Sequence, residues 1–319
     1  MKHRTLTATL ALSLIVGCAS APPALPTPTE SPGDTGNATT LRAAGIDPAA
    51  LHCNTENRWG KTIRADAQAG AEDVMALLGP HTAGLAPEAR EALSKEVRDV
   101  VMWRMIRAVL VEGDNNNLGV VPLKGRTWRD AAGKEHPVLL FRSGVTPNPD
   151  TAGSCFQSLL GAGGVRHVVN LFDGAMPVAD LVAAEGKAAA AHGATYRTAT
   201  DEGYGPWRDI LRKHMDDPEK RAVAMDGLSR LIREQILNPD GAAPKGNVHV
   251  HCGGGMHRTG MVVGVIERCI NGAPPQVVEA GYKRHVGYRD AEHPGGFEEG
   301  NLRVIREFDC GLLTPVAKP

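Results

Sequence analysis

Apolar residues recur at helical spacing over much of the first third of the chain. One predicted helix face in the segment 88–113 carries Leu93, Val97, Val100, Val101, Ile106 and Leu110. Apolar positions three or four residues apart are typical of an amphipathic helix. Gly113 and Asp114, followed by a run of asparagines, end the pattern. We therefore expect an N-terminal helical region over residues 48–122 that packs on the part of the chain that follows it.

Beyond residue 120, short apolar runs alternate with helical segments. Strands are predicted at 137–144, 165–172, 194–200 and 247–252, and helices at 153–164, 176–193, 222–237 and 258–270. This alternation implies crossover connections between strands that run in parallel. The pattern predicts an α/β fold over residues 123–319, with a central, mostly parallel sheet flanked by helices.

The N-terminus has the pattern of an export signal. Lys2 and Arg4 precede an apolar run at 6–16 that is too short to span a bilayer. The run ends in "IVGC", which resembles the bacterial lipobox and predicts a signal peptide over 1–17 with a lipid on Cys18. An ordinary secretory signal is the alternative. The Pro-, Ser- and Thr-rich stretch 18–47 predicts a linker, so we expect an exported protein held at the bacterial envelope by its lipid alone.

The net charge and the number of cysteines limit the possible ligands and the pattern of disulfides. The 319 residues carry a formal net charge of -1, which gives no indication of nucleic-acid binding. Five cysteines follow Cys18, namely Cys53, Cys155, Cys252, Cys269 and Cys310. In an oxidising compartment an odd number leaves at least one thiol free. If Cys252 is that thiol, the other four allow three disulfide pairings, and the sequence does not choose among them.

The stretch "HVHCGGGMHRTG" at 249–260 places three glycines between a buried strand and an apolar helix. Such a turn directs several backbone N–H groups and the positive end of the helix dipole toward one point, where an oxyanion can bind. The predicted phosphate-binding positions are Gly253, Gly254, Gly255, Met256, His257 and Arg258. The spacing of cysteine and arginine alone is common, whereas the complete arrangement of strand, glycine loop and helix is specific.

The same loop carries a predicted nucleophile. Amide dipoles and a neighbouring guanidinium stabilise a thiolate, so we expect Cys252 to have a lowered pKa and to be nucleophilic. Arg258 can hold two phosphate oxygens in a bidentate fork. Thr259 can donate a hydrogen bond to the sulfur, and His251 is expected to orient the loop from the strand.

"HCGGGMHRTG" resembles the phosphate-binding loop of the cysteine-dependent protein tyrosine phosphatase superfamily, particularly its dual-specificity branch. "FRSG" at 141–144 and "GVRHVVNL" at 164–171 also resemble early strands of that branch, and the likeness covers about residues 136–310. The resemblance implies a phosphocysteine intermediate and hydrolysis without a metal or another cofactor. Where many relatives have an arginine after Asn-Leu, this chain has Phe172 and Asp173. Its loop also lacks the lysines of many phosphoinositide-directed members.

A general acid is expected on the loop that follows strand 194–200, because an alkoxide leaving group needs a proton. The resemblance places that role on Asp201, with Asp209 and Glu202 as alternatives. A turn-forming role for Asp201 is also open. The stretch "ATDEGYGPW" in addition resembles the phytase-like inositol phosphatases, although the order of its Trp and Pro is reversed.

Two further classes of function compete with a phosphatase. His249, His251 and His257 lie near Cys252, but a guanidinium beside a metal is unfavourable, and we predict no metal site. A catalytically inactive phosphate-binding module is the second alternative. The expected partner is a phosphorylated substrate: a phosphoprotein, an inositol phosphate or a small phosphomonoester. The segment 282–301 either borders the site or is a solvated surface.

Overall fold

The computed structural model describes residues 32–55, 57, 61–113, 115–172, 176–198, 203–205, 207–287 and 297–313. The strands in this part of the chain are β1 (Gly119–Arg129), β2 (Glu135–Ser143), β3 (Val165–Asn170), β4 (Thr195–Thr198) and β5 (Asn247–His251). The α-helices are α1 (Pro32–Ala43), α2 (Lys61–Thr82), α3 (Pro87–Arg107), α4 (Cys155–Leu160), α5 (Ala179–Ala191), α6 (Trp207–His214), α7 (Pro218–Leu231), α8 (His257–Ile266), α9 (Pro275–Val286) and α10 (Phe297–Glu307).

The strands form one five-stranded sheet in the order β1-β2-β5-β3-β4. β1 pairs with β2 in antiparallel orientation, and the other three pairings are parallel. The predicted α/β class with a mostly parallel sheet is confirmed, and each of the four predicted strands is present. In parallel strands the carboxyl ends lie at the same edge, so the loops after β2, β3 and β5 meet there.

The sequence pattern missed β1. Most positions from its middle onward are exposed or half-buried, as in an edge strand, so its apolar residues are confined to the first half. β1 also crosses the predicted boundary between residues 122 and 123. The segment 119–129 belongs to the sheet, because its backbone is hydrogen-bonded to β2 along most of its length.

β5 lies at the centre of the sheet and is buried along its whole length. Alternate side chains of a strand point to opposite faces. Val248 and Val250 pack into a core cluster with residues of α7 and α8. His249 and His251 lie on the other face, where the ring of His249 neighbours Phe156 of α4 and that of His251 neighbours Tyr196 of β4.

The N-terminal helical pattern corresponds to α2 and α3, which pack on each other. Only the C-terminal end of the predicted face is deeply buried. Ile106 and Leu110 belong to a cluster that also contains Val145, Met176 and Val178, whereas Val100 is 46% exposed. The helical layer is therefore anchored by its last turns, next to the loop that follows β2.

The predicted linker over 18–47 includes residues that are helical in the structure. Residues 32–43 form α1, and a short 3₁₀ turn follows at Pro48–Ala50. Leu41 is buried in the core cluster beside Leu118, and Asn37 Nδ2 donates to the carbonyl of Leu118 at 3.3 Å. The signal peptide, Cys18 and the rest of the predicted linker lie outside the described residues. Within the described part of the chain, no helix has the length and apolar character needed to span a membrane.

Four of the cysteines form two disulfides. Cys53 is bonded to Cys155, and Cys269 is bonded to Cys310. The first bond attaches the segment after α1 to the start of α4. The structure thus contains one of the three pairings that the sequence left open, and it leaves Cys252 as a free, buried thiol.

Candidate active site

The glycine loop lies at the carboxyl edge of the sheet, between the ends of β2 and β3. His251, the last residue of β5, is in register with Ser143 on one side and Asn170 on the other. The amide of Val145 donates to the carbonyl of Gly253 at 3.0 Å, which attaches the loop to the segment after β2. α8 begins directly after the loop, so its N-terminal end points into the site.

Gly255 is the position where the loop tolerates no side chain. Its φ of +66° lies in the left-handed region, which L-residues rarely adopt. A Cβ atom there would lie 2.5 Å from the carbonyl carbon of Ser143 and 2.6 Å from the nitrogen of Gly144. The loop therefore approaches the backbone after β2 more closely than any other residue type would allow.

Cys252 is 6% exposed and occupies the base of the loop. Burial by itself raises the pKa of its thiol. The charge of Arg258 opposes this most strongly, followed by the Thr259 hydroxyl and the backbone amides of Thr259 and Gly255, and the net pKa lies below the ordinary value. Thr259 Oγ1 makes no hydrogen bond of ordinary geometry within the described residues, so its effect on the sulfur is that of a nearby dipole. These groups favour a thiolate at Cys252.

Arg258 lies in the first turn of α8 and is 9% exposed. Its Nη1 donates to the carbonyl of Leu171 at 2.9 Å, just beyond β3. The guanidinium also lies over the ring of Phe172, 5.7 Å from the ring centre. Phe172 thus presents an aromatic face that supports Arg258 through a cation–π contact.

The remaining predicted phosphate-binding positions differ in how they can contribute. Met256 is 5% exposed, and its side chain packs with Val278, Tyr282 and Val286, so only its backbone is available to an anion. His257, the first residue of α8, is half-buried. Gly253 is closely packed as well, because a Cβ atom there would lie 2.8 Å from the Met176 side chain.

His251 and Glu185 are fully buried members of a polar network on the other face of β5. His251 Nε2 is 3.3 Å from Oε2 of Glu185, on α5. The Tyr196 hydroxyl donates to that oxygen at 2.8 Å, and Asn170 Nδ2 donates to the Tyr196 hydroxyl at 3.1 Å. Burial raises the pKa of Glu185 to about 8, against the opposing hydrogen bond from Tyr196, and burial lowers the pKa of His251 to about 3. Both groups are therefore neutral near pH 6.

The neutral Glu185 gives a pH-dependence of stability. Because its pKa in the folded protein exceeds its ordinary value of 4.5, its stabilising contribution is complete below about pH 4.5 and is lost as the pH rises through about 8. We expect Glu185→Gln, which resembles the protonated acid, to remove this loss. Relative to wild type, the variant should gain on the order of several kcal/mol between pH 5 and 8.5. Urea unfolding at both pH values measures the difference.

Glu234→Gln is the matched control for that comparison. Glu234 also accepts a hydrogen bond from a tyrosine, Tyr204, at 2.8 Å, but it is exposed. Its substitution should leave the pH profile of stability parallel to that of wild type. A parallel profile for Glu185→Gln would instead mean that Glu185 and His251 are a charged pair in the folded protein.

The predicted general acid lies outside the described residues. This holds for Asp201 and Glu202, and the side chain of Asp209 is likewise not described. The neighbouring Tyr204 and Trp207 are buried in the core cluster on the α7 and α8 side of the sheet. This part of the loop is therefore anchored to the core.

Three residues contact this region without having been predicted. Arg142 Nη2 donates to the carbonyl of Gly255 at 2.5 Å, and Asn117 Nδ2 donates to the carbonyl of Gly254 at 3.1 Å. Glu185 is the third, through His251. Arg142 belongs to "FRSG" in a predicted buried strand, and Asn117 belongs to a run of three asparagines. A polar residue in such a segment was the sequence feature that could have pointed to each of them. Nothing in the sequence position of Glu185 indicated that it contacts His251.

Within the described ranges, no group of three or more His, Cys, Asp or Glu side chains is placed to hold a metal ion.

No family model matches the chain, and no curated protein matches it. The crystal structure of TpbA from P. aeruginosa, a tyrosine phosphatase, aligns at 17% sequence identity with a TM-score of 0.27, covering 55% of this chain and 83% of that chain. At these values the similarity concerns a phosphatase-like fold at most and carries no argument about activity or substrate.

Proposed function

We propose that the protein is a phosphomonoester hydrolase with a cysteine nucleophile, of the tyrosine and dual-specificity type. The observation that carries the proposal is the free Cys252 at the base of a glycine loop. Although it is buried, its pKa is lowered by Arg258, Thr259 and loop amides. A buried thiol without a catalytic role has the opposite tendency, because an apolar environment raises its pKa.

In the first proposed step, the Cys252 thiolate attacks phosphorus and forms an S–P bond as the ester P–O bond breaks. Loop amides and the Arg258 guanidinium bind the non-bridging oxygens, whose charge is redistributed in the transition state. The leaving oxygen takes a proton from a general acid. We propose Asp201 for that role on the resemblance alone, with Asp209 and Glu202 as alternatives.

In the second step, water attacks phosphorus and gives a proton to the carboxylate that protonated the leaving oxygen, the S–P bond breaks, and inorganic phosphate leaves. The thiolate is now the leaving group, so the features that lower its pKa also help this step. The Thr259 hydroxyl and the amides of Gly255 and Thr259 would stabilise the returning negative charge. Cys252 is then ready for another cycle.

We further propose that the protein acts after export and is anchored by a lipid on Cys18. The two disulfides support an oxidising compartment, where such bonds persist. Phosphoproteins, inositol phosphates and small phosphomonoesters are all compatible with the proposed chemistry. Under this proposal, residues 19–31 separate the lipid from α1, the first helix that the structure describes.

The test is turnover together with capture of the intermediate. We expect the chain to release phosphate from p-nitrophenyl phosphate in the presence of a chelator. Rapid acid quenching followed by mass spectrometry should find a phosphoryl group on the peptide that contains Cys252. Phosphate binding without turnover in the reduced, folded protein would identify an inactive phosphate-binding module, and turnover without a modified Cys252 would exclude the proposed nucleophile.

A further inference from the structure

The three asparagines that end the N-terminal helical pattern are fully buried beside the glycine loop. Asn115, Asn116 and Asn117 are each at most 1% exposed. Asn117 contacts the loop directly: its Nδ2 lies 2.8 Å from the carbonyl oxygen of His285, 3.1 Å from that of Gly254 and 3.3 Å from that of Gly255, so its two N–H groups are shared among three acceptors. A single side-chain amide thus connects the helical region, the loop and the end of α9.

His285 determines which way the amide of Asn117 points. Burial, and then the charges of Arg142 and Arg284, lower the pKa of His285 well below its usual range, so its ring is neutral. Arg284 Nη2 is 3.1 Å from Nε2 of that ring and can only donate, so Nε2 accepts and Nδ1 carries the proton. Nδ1 lies 2.8 Å from Oδ1 of Asn117. Oδ1 therefore faces His285, and the NH₂ group faces the carbonyls.

The backbone of Asn117 is held in an uncommon conformation. Its φ is +53°, in the left-handed region, which asparagine adopts more readily than most other residues. The preceding Asn116 exchanges two hydrogen bonds with Asn54, at 2.8 and 3.2 Å, and its carbonyl accepts from the amide of Gly144 at 2.8 Å. Such a conformation persists only where the surroundings enforce it, which is frequent at functional sites.

Holding a carbonyl on one side of the loop directs an amide to the other side. In a planar trans peptide, the C=O of one residue and the N–H of the next point in opposite directions. With the Gly254 carbonyl bonded to Asn117, the N–H of Gly255 points away from it. That N–H is one of the groups that lower the pKa of Cys252. The Gly255 carbonyl, held by Asn117 and Arg142, directs the N–H of Met256 in the same manner.

We infer that Asn117 is a positioning residue, which orients the peptide groups 254–255 and 255–256 so that their N–H groups face the thiolate and the bound phosphate. The catalytic meaning of this role depends on the proposed function. The same inference assigns a role to the N-terminal helical region, because Asn117 lies at the end of that region and contacts the loop from there.

Two substitutions in the full chain test the inference. Asn117→Gly keeps the left-handed backbone accessible and removes the amide, while Asn117→Asp keeps an oxygen toward His285 and replaces the NH₂ donor by a second oxygen. The thiol pKa is measured from the pH dependence of iodoacetamide alkylation of the Cys252 peptide, and inorganic phosphate binding is measured by calorimetry. We expect both variants to show a raised thiol pKa and a phosphate Kd that is increased about tenfold or more.

Asn148→Gly is the matched control. Asn148 also has a positive φ, +44°, but it is exposed, so its substitution should change neither readout. Circular dichroism and melting curves set a temperature at which each variant is folded. A folded Asn117 variant with the thiol pKa and phosphate affinity of wild type would overturn the inference. Neither readout requires turnover. If the proposed phosphatase activity is absent, the substrate will not react, but the Asn117 variants will still change the thiol pKa and the phosphate affinity.

Discussion

Cys252→Ser should abolish phosphate release from p-nitrophenyl phosphate, with a loss of at least about 10⁴-fold in kcat. A serine hydroxyl has a far higher pKa than a thiol, and the groups that stabilise a thiolate here cannot ionise it at neutral pH. The contacts that attach the loop to the rest of the fold do not involve the sulfur. They come from the amide of Val145 and the side chains of Asn117 and Arg142. The variant should therefore fold and bind inorganic phosphate with an affinity at least equal to that of wild type.

Steady-state assays and calorimetry with inorganic phosphate measure the two effects on the same preparation. Loss of turnover with retained binding is the signature of a missing nucleophile, because a damaged loop would lose both. Retained turnover in Cys252→Ser would mean that another group attacks phosphorus. Absence of turnover in both proteins, with phosphate bound by both, would favour the inactive binding module.

The sequence predicted the centre of the fold better than its edges. β5 and β3 are buried on both faces, so their apolar runs marked them clearly, and the glycine loop could be placed between β5 and α8. β1 and α1 have few buried positions, and their contacts are made with residues distant in sequence. Periodicity cannot show such contacts, which explains why the sequence pattern marked neither β1 nor α1.

Within the site, too, the sequence predicted residues that are close together in the chain and missed those that come together only in the fold. Cys252, Arg258 and Thr259 lie within eight consecutive residues, so the local pattern places them together. Asn117 and Glu185 reach the loop region only through the packing of the helical region and α5 on the sheet. Both are buried polar groups, whose value depends on partners that the fold must supply. A local motif thus identifies the reacting groups, while the residues that orient them require the three-dimensional structure.

Arg258→Lys should lower kcat/KM by about 10³-fold while leaving the thiol pKa of Cys252 nearly unchanged. Lysine keeps the positive charge, which is the largest of the effects that lower that pKa. It lacks the planar fork that can hold two phosphoryl oxygens while also donating to the carbonyl of Leu171. The loss should therefore appear in the chemical step and in phosphate affinity, and not in the alkylation rate of the thiol.

Arg233→Lys provides the same exchange at a comparable contact outside the loop. Arg233 Nη1 donates to the carbonyl of Leu312 at 2.8 Å, much as Arg258 does to Leu171. Kinetics and phosphate calorimetry should separate only Arg258→Lys from wild type, whereas the alkylation rate of Cys252 should be alike in all three proteins. If Arg258→Lys retained kcat/KM within a few-fold, its charge alone would be sufficient, and the bidentate grip on the phosphoryl group would have to be abandoned. Thiolate formation and transition-state binding, two roles of one guanidinium, are thereby measured independently.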